Sequence, residues 1–175
     1  RYQEVTGVQT CALPISKLPD SLSDYLDFVK TTLKAVGVTA GKVFMTVDEK
    51  VVPAGGSQRR PKPHVDGCFY PDIGRWGHGG GGGWNHFCNG VPVDRMPVIV
   101  ASSTGGTALW EGEFDVEPKN DGDLSHVSKE LNDPCAEAAP DHAYALSPDC
   151  IHESPVMEEV TARTFVRLAL PVNSF

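Results

Sequence analysis

Short runs of β-forming residues, separated by glycine and proline, constrain the fold of this chain most strongly. These runs begin after Gly41, so the chain beyond that residue is predicted to form strands joined by loops. The runs predict strands over residues 42–48, 97–102, 107–116, 142–146 and 163–170. Gly105-Gly106 predicts a tight turn between the second and third of these. Short strands joined in this way indicate an all-β sandwich or barrel.

One amphipathic helix is predicted before the strands. Its apolar residues recur at helical spacing, and they are Leu22, Tyr25, Leu26, Val29, Leu33 and Val36. Asp20, Ser21 or Ser23 is expected to cap its start, and Gly37 to take the left-handed conformation beyond its end. We expect the apolar stripe to pack against the β-core.

The first residues of the chain have a different character. Residues 5–15, with the sequence VTGVQTCALPI, resemble the translation of a DNA-sequencing adapter. We therefore exclude residues 1–16 from the fold and expect a single domain over residues 17–175. The natural N-terminus is then expected to be missing. A genuine N-terminal strand is the alternative interpretation.

The charge of the chain limits its partners. Its formal net charge is −8 over 175 residues, which argues against nucleic acid, because binding to phosphates depends on Lys and Arg. The basic cluster Arg59-Arg60-Pro61-Lys62 is either a solvated loop or a local attraction for an anionic substrate. No stretch approaches the roughly 18 apolar residues of a membrane span, so no membrane partner is predicted.

The cysteines outside residues 1–16 indicate the compartment. They are Cys68, Cys88, Cys135 and Cys150, and their spacing matches no paired zinc pattern. We expect reduced thiols in a cytoplasmic protein.

Three distant fragments fit together as one metal site. His64 and Asp66 stand two residues apart, so on an extended segment they point to the same side. His152 can return to that side once the chain has folded back, and two imidazoles with one carboxylate form the facial triad of non-haem Fe(II). Arg163, eleven residues beyond His152, can hold a carboxylate in a bidentate pair. Arg167 shares a strand face with Arg163 and is its rival.

These residues and their local sequences, PKPHVDG and SPDCIHESPV followed by ARTFVRLALP, resemble the Fe(II)/2-oxoglutarate-dependent dioxygenase superfamily. Within it, the local sequences are more similar to the small prolyl-hydroxylase-like members than to the larger taurine-dioxygenase-like ones, although the interval from His152 to Arg163 has the length seen in the latter. The resemblance covers residues 43–171. It implies a double-stranded β-helix, or jelly roll, with the helix flanking it. It further implies Fe(II) bound by His64, Asp66 and His152, and 2-oxoglutarate anchored by Arg163 or by Arg167.

The activity that the resemblance implies is hydroxylation of a substrate, with O2 and 2-oxoglutarate consumed and succinate and CO2 released. It also allows a requirement for ascorbate. The substrate is expected to be a small molecule or a peptidyl side chain, whose identity the sequence leaves open. Tyr70, Trp76, Trp84 and His86 follow the first fragment and are predicted to wall the substrate pocket, with nearby glycines as hinges.

Other classes of protein stay open. A cupin-like jelly roll that binds metal without catalysis would bind no 2-oxoglutarate and would tolerate Arg163→Ala. A metal hydrolase with two histidines and one aspartate would prefer zinc or manganese and would release no succinate. A fragment in which adapter sequence replaced needed strands would be poorly soluble.

Overall fold

A computed structural model describes residues 11–14, 18–39, 42–65, 69–70, 75–76, 87–88, 91–92, 98–116, 118–119, 122–147 and 150–170. Over these residues the protein is mainly β, with two larger antiparallel sheets, two two-stranded sheets and one short N-terminal α-helix, which confirms the predicted mainly-β class. The helix α1 spans Leu26–Ala35. The strands β1 to β12 span Cys11–Pro14, Lys42–Val52, Phe69–Tyr70, Arg75–Trp76, Phe87–Cys88, Val91–Pro92, Val98–Ser102, Thr107–Trp110, Ala136–Ala138, Ala143–Leu146, Ile151–Glu153 and Thr161–Ala169. The two-stranded sheets pair β3 with β4 and β5 with β6.

The larger sheet has five strands in the order β1, β2, β12, β7 and β10. The long strand β12 lies at its centre, paired with β2 on one side and with β7 on the other. Val166 and Leu168 of β12 pack with Met45 of β2 beneath α1. The helix contributes Val29 and Leu33, which are fully buried. Apolar burial stabilises this contact by about 25 cal/mol per Å² removed from water.

The smaller sheet has the order β11, β8 and β9, and single bridges extend it beyond β11. His64 pairs with His152 of β11, and Asp123 pairs with His64 on the opposite side. The second bridge is supported by the amide of Val65, which donates to the carbonyl of Gly122 at 3.0 Å. The segment of His64 therefore lies between β11 and the segment of Asp123.

An apolar layer joins the inner faces of the two sheets. Val98 and Val100 of β7 and Ala169 of β12 pack there with Leu109 of β8. Trp110, the next residue along β8, belongs to a separate apolar cluster. Because successive residues of a strand project to opposite faces, Leu109 marks the inner face of the smaller sheet and Trp110 its outer face.

The predicted helix forms, but its start differs from the prediction. Asp20–Tyr25 is a 3-10 helix that leads directly into α1. No side chain caps either helix, so the prediction that Asp20, Ser21 or Ser23 is the cap is wrong; the Ser23 hydroxyl instead donates to the Asp20 carbonyl at 2.9 Å. Gly37 has a φ of 79° and is the predicted left-handed residue.

The predicted strands form with shifted ends, and one is much shorter than expected. The strand predicted over residues 107–116 ends at Trp110, and Gly112 follows with a φ of 138°, a conformation that favours glycine and breaks a strand. β9 and β11 have only three residues each. Alternation is not visible in so short a segment, which is why neither strand was predicted.

The segment Cys11–Pro14 forms the edge of the larger sheet, where Cys11 lies opposite Met45 of β2. Edge pairing uses backbone amide and carbonyl groups that nearly every sequence carries. The pairing is therefore independent of the origin of the segment. The exclusion of residues 1–16 from a domain over 17–175 stays a prediction.

Two further predictions concern thiols and membranes. Cys135 forms no disulfide with a described residue, and the thiol of Cys150 lies 3.9 Å from the carbonyl of Trp110. The reduced state expected of the thiols stays a prediction. The side chains of Cys68 and Cys88 lie outside the described residues. No helix in the described ranges is long and apolar enough to cross a membrane.

Tyr25 ties the helical segment to β2. Its hydroxyl donates a hydrogen bond to the Glu49 carboxylate. Burial, and then this carboxylate, raise the pKa of Tyr25 above its ordinary value of about 10. Since a raised pKa favours the protonated phenol in the folded state, the contribution to stability is complete below about pH 10 and is lost as the pH rises above it.

We expect Tyr25→Phe to lower the free energy of unfolding by about 1 kcal/mol at neutral pH, the net worth of one hydrogen bond. Urea titrations of both proteins at about pH 8 and about pH 10.5 bracket the ordinary pKa of tyrosine. The difference between parent and variant should shrink at the higher pH, because only the parent can ionise Tyr25 in its unfolded state. An unchanged difference would contradict the role given to this hydroxyl.

Candidate metal and anion site

His64 and His152 lie side by side on paired segments. The amide of His64 donates to the carbonyl of His152 at 3.0 Å, and the amide of His152 returns the bond at 2.9 Å. Residues directly opposite each other project to the same face of a sheet, and the ring centroids are 4.3 Å apart. His152 also lies opposite Leu109. Because Leu109 marks the inner face, both imidazoles project into the space between the sheets.

The hydrogen bonds of the two rings define which nitrogen can bind a metal. Nδ1 of His64 lies 2.6 Å from the carbonyl two residues earlier, and Nδ1 of His152 lies 2.9 Å from the equivalent carbonyl. A carbonyl only accepts, so in the neutral rings Nδ1 carries the proton and Nε2 the lone pair. His142 makes the same local bond at 2.8 Å on an exposed turn. The pairing of His64 with His152, rather than this bond, therefore distinguishes the site.

The third predicted ligand, Asp66, lies outside the described residues. Within the described part of the chain, no group of three or more His, Cys, Asp and Glu side chains is placed to hold a metal ion. Two imidazoles supply two of the three positions of a facial triad. The metal assignment of His64, Asp66 and His152 thus stays a prediction.

Asp123 stands next to the histidine pair, directly across from His64. Its carboxylate accepts hydrogen bonds from the amide and the hydroxyl of Ser125, at 3.2 and 2.8 Å, and forms an ion pair with Lys119 at 3.6 Å. Burial acts to raise the pKa of Asp123, but the bonds from Ser125 and the charge of Lys119 outweigh it and lower the pKa. Asp123 is therefore an ionised neighbour whose oxygens bind Ser125 and Lys119.

Arg163 is the most buried charged side chain among the described residues, at 2% exposure. Its Nε donates to the hydroxyls of Ser102 and Thr104, at 2.9 and 2.8 Å. Its Nη1 donates to the hydroxyl of Ser154 at 3.1 Å. Because Ser154 lies two residues beyond His152, this last bond connects the guanidinium to the strand that carries a predicted metal ligand.

The surroundings of Arg163 favour an anion. Nη2 is buried and has no hydrogen-bond partner within the described ranges. Burial, and then the neighbouring Arg59, lower the pKa of Arg163, while Asp48 opposes them. An arginine stays protonated even so. Among the described residues, the hydrogen-bond partners of this guanidinium are neutral hydroxyls. A buried cation is costly unless an anion pairs with it, so Nη2 is suited to receive a carboxylate.

Arg167 is also buried, at 5% exposure, as the strand alternation predicts. It lies between Thr46 of β2 and Val100 of β7 in the larger sheet. The hydroxyl of Thr46 has no hydrogen-bond partner among the described residues. Arg163 donates a hydrogen bond to Ser154, two residues beyond His152, and this link to the histidine-bearing segment is the reason to prefer Arg163 as the candidate anchor. The choice between the two arginines stays a prediction.

One residue of the basic cluster before His64, Arg59, contacts residues of the larger sheet. The guanidinium of Arg59 lies 5.0 Å from the ring centroid of Phe165. It also forms an ion pair with Asp48 at 3.7 Å. Lys62, in contrast, is exposed. Arg59 thus adds positive charge beside Arg163, while the rest of the cluster extends toward solvent.

The predicted substrate residues fall on a part of the chain that is described only by short paired strands. Tyr70 ends β3 and Trp76 ends β4, and these two strands pair with each other. Trp84 and His86 lie outside the described residues. Their assignment to a substrate pocket stays a prediction.

A cavity of about 330 Å³ lies against Val65, Leu124 and Ile151. These residues adjoin His64, Asp123 and His152 in sequence and therefore project to the outer face of the smaller sheet. The cavity is separated from the imidazoles by the sheet itself, so it is not part of the candidate site.

Sequence patterns did not reveal the hydroxyls around Arg163 or the carboxylate beside His64. Ser102 and Thr104 follow a predicted strand, but nothing in their own sequence joins them to a residue on β12. Asp123 had a local signal, because an aspartate two residues before a serine typically forms such a side-chain-to-backbone turn.

Comparison with known proteins adds no family to this geometry. The chain matches no protein-family model, and a search of curated proteins finds no match.

Proposed function

We propose that this protein is a non-haem Fe(II) and 2-oxoglutarate-dependent dioxygenase that hydroxylates a small-molecule or peptidyl substrate. One observation carries the proposal. The imidazoles of His64 and His152 project to the same face, and the buried guanidinium of Arg163 donates a hydrogen bond to Ser154, two residues beyond His152. A ligand with a chelating end and a distal carboxylate needs such a combination of metal face and anion-binding group.

The proposal includes a double-stranded β-helix. Apart from β1 and the bridge of Asp123, eight described segments divide equally between the two sheets. The larger sheet holds β2, β12, β7 and β10, and the smaller holds the segment of His64, β11, β8 and β9. Along the chain, the first, third, sixth and eighth segments belong to the larger sheet. Eight segments divided between two sheets in this order support a jelly roll.

The residues present fit an iron ion. His64 and His152 offer Nε2 lone pairs from adjacent rings, and Asp66 would complete the set. A bound Fe(II) would supply O2 activation coupled to oxidative decarboxylation of 2-oxoglutarate, so that one oxygen atom enters succinate and the other enters a substrate C–H bond as a hydroxyl.

The residues of the chain would bind and orient the co-substrate. Nη2 of Arg163 would bind the distal carboxylate of 2-oxoglutarate, while Ser102, Thr104 and Ser154 hold the guanidinium in place. Leu109 packs in an apolar layer between the sheets, and apolar surroundings of this kind would strengthen the ionic contact. The chain would thereby orient the co-substrate and limit the access of water to it.

An anaerobic titration of the full chain, first with Fe(II) and then with 2-oxoglutarate, tests the proposal. We expect the visible metal-to-ligand charge-transfer band of a chelated 2-oxo acid, and succinate release in a substrate screen after O2 is admitted. A folded, iron-loaded protein without the band would overturn the proposal and favour a cupin-like binder. Preference for zinc or manganese, with no succinate, would favour a metal hydrolase.

A further inference from the structure

We propose that Ser154 selects the length of the 2-oxo dicarboxylate that the site accepts, because it fixes the guanidinium of Arg163 relative to the two histidines. The inference rests on the proposed function and adds a specificity role to it. Ser154 acts here as a positioning residue, since its hydroxyl contacts Arg163 and would not contact the ligand itself.

Ser154 is the point where three parts of the site meet. Its hydroxyl accepts from Nη1 of Arg163 at 3.1 Å, and its amide donates to the carbonyl of Arg60 at 3.1 Å. Arg60 lies on the segment that leads into His64, and His152 lies two residues before Ser154. The side chain is 5% exposed, so water does not replace these bonds readily. A single residue thus joins the anion-binding group to both histidine-bearing segments.

The hydrogen bonds of Arg163 hold two nitrogens of its guanidinium in place and leave the third able to bind a ligand. Ser102 and Thr104 hold Nε, at 2.9 and 2.8 Å, and both come from the end of β7. Ser154 holds Nη1 from the opposite sheet. Because Nε and Nη1 are held from two sides, the orientation of the whole guanidinium is fixed. Nη2 is the one nitrogen of this guanidinium with no described hydrogen-bond partner. Removal of the Ser154 hydroxyl leaves only the hydrogen bonds from Nε to Ser102 and Thr104.

A fixed Nη2 discriminates between ligands of different length. A 2-oxo acid chelated at the histidines must reach Nη2 with its far carboxylate. One methylene more or less changes the chain by a bond of about 1.5 Å. A hydrogen bond is made only over about 2.7–3.2 Å, so such a change breaks the contact when both ends are fixed. A guanidinium free to shift would tolerate it.

The test compares relative affinities. Full-length parent, Ser154→Ala and Ser154→Thr are loaded anaerobically with Fe(II) and titrated with oxaloacetate, 2-oxoglutarate and 2-oxoadipate, which differ by one methylene each. We expect the parent to prefer 2-oxoglutarate by about tenfold or more, as the loss of one charged hydrogen bond predicts. Ser154→Ala should reduce this preference at least threefold, and Ser154→Thr should retain it.

Ser103→Ala is the matched control, because Ser103 also lies at the end of β7 but its hydroxyl accepts from the amide of Thr164. It should keep the preference of the parent. A merely structural loss would weaken all three ligands together and leave their ratio unchanged. Ser154→Cys, whose thiol is a weak acceptor, replaces Ser154→Ala if the latter does not fold.

The outcomes separate this inference from the proposed function. If the parent shows the charge-transfer band but the ratio is unchanged in Ser154→Ala or Ser154→Cys, the selection role is wrong and the dioxygenase proposal stands. If the folded, iron-loaded parent shows no band with any of the three acids, both are overturned.

Discussion

Arg163→Ala should weaken 2-oxoglutarate binding by about 10-fold to 100-fold, which corresponds to the roughly 1.5–3 kcal/mol of hydrogen bonds to a charged group. The reason is geometric as well as electrostatic. Nη2 of Arg163 is a buried donor without a described hydrogen-bond partner, and once the guanidinium is removed, the three neutral hydroxyls that surrounded it cannot balance the charge of a carboxylate. The measurement is the anaerobic titration of the iron-loaded protein, read from the charge-transfer band.

Arg167→Ala is the control for this prediction. Arg167 lies on the same face of β12 and is buried to a similar degree, at 5% against 2% exposure, but the hydrogen bond to Ser154 comes from Arg163. Its replacement should leave the affinity within about threefold of the parent, the scatter of single-interaction measurements. Arg163→Lys should fall between parent and Arg163→Ala, since lysine keeps the charge but loses the fork.

The pattern of results assigns the co-substrate anchor. A large loss in Arg167→Ala and none in Arg163→Ala would transfer the role to Arg167. Equal affinity in the parent and both variants would remove the basis for a 2-oxoglutarate site in this interior and would agree with the cupin-like alternative. Thermal unfolding of each variant shows whether a loss reflects binding or folding.

Strand alternation on β12 was predictable because it is a local property of the backbone. Arg163 and Arg167 lie four residues apart in a long strand, so their common face follows from the period of two. Both are buried in the structure. The helix was predictable for a similar reason, since its apolar stripe is long enough to show a helical period.

The partners of these residues were not predictable from the sequence. Ser102 and Thr104 reach Arg163 only because β7 lies beside β12, and that neighbour relation is decided by the packing of the whole sheet. Ser154 reaches it from the other sheet, beyond a strand of three residues. So short a strand carries no visible period, yet it places His152 opposite His64.

His64→Ala and His152→Ala should each lower Fe(II) affinity by more than about 100-fold, because loss of even an outer contact to a metal ligand costs about 10–100-fold. Each variant removes one of two imidazoles on a common face, and the remaining ring with Asp66 cannot form a facial triad. Anaerobic calorimetry with Fe(II) measures the affinity directly. Far-UV circular dichroism checks that the sheets persist without the metal.

His142→Ala is the control that separates metal binding from local histidine geometry. Its Nδ1 donates to a carbonyl two residues earlier, as in the other two histidines, but the ring is exposed and lies on a turn. If Fe(II) affinity depends on the pairing of His64 with His152, His142→Ala will bind as the parent does. A comparable loss in all three variants would show that the measured binding is nonspecific. The pairing of two segments distant in sequence would then have no metal function.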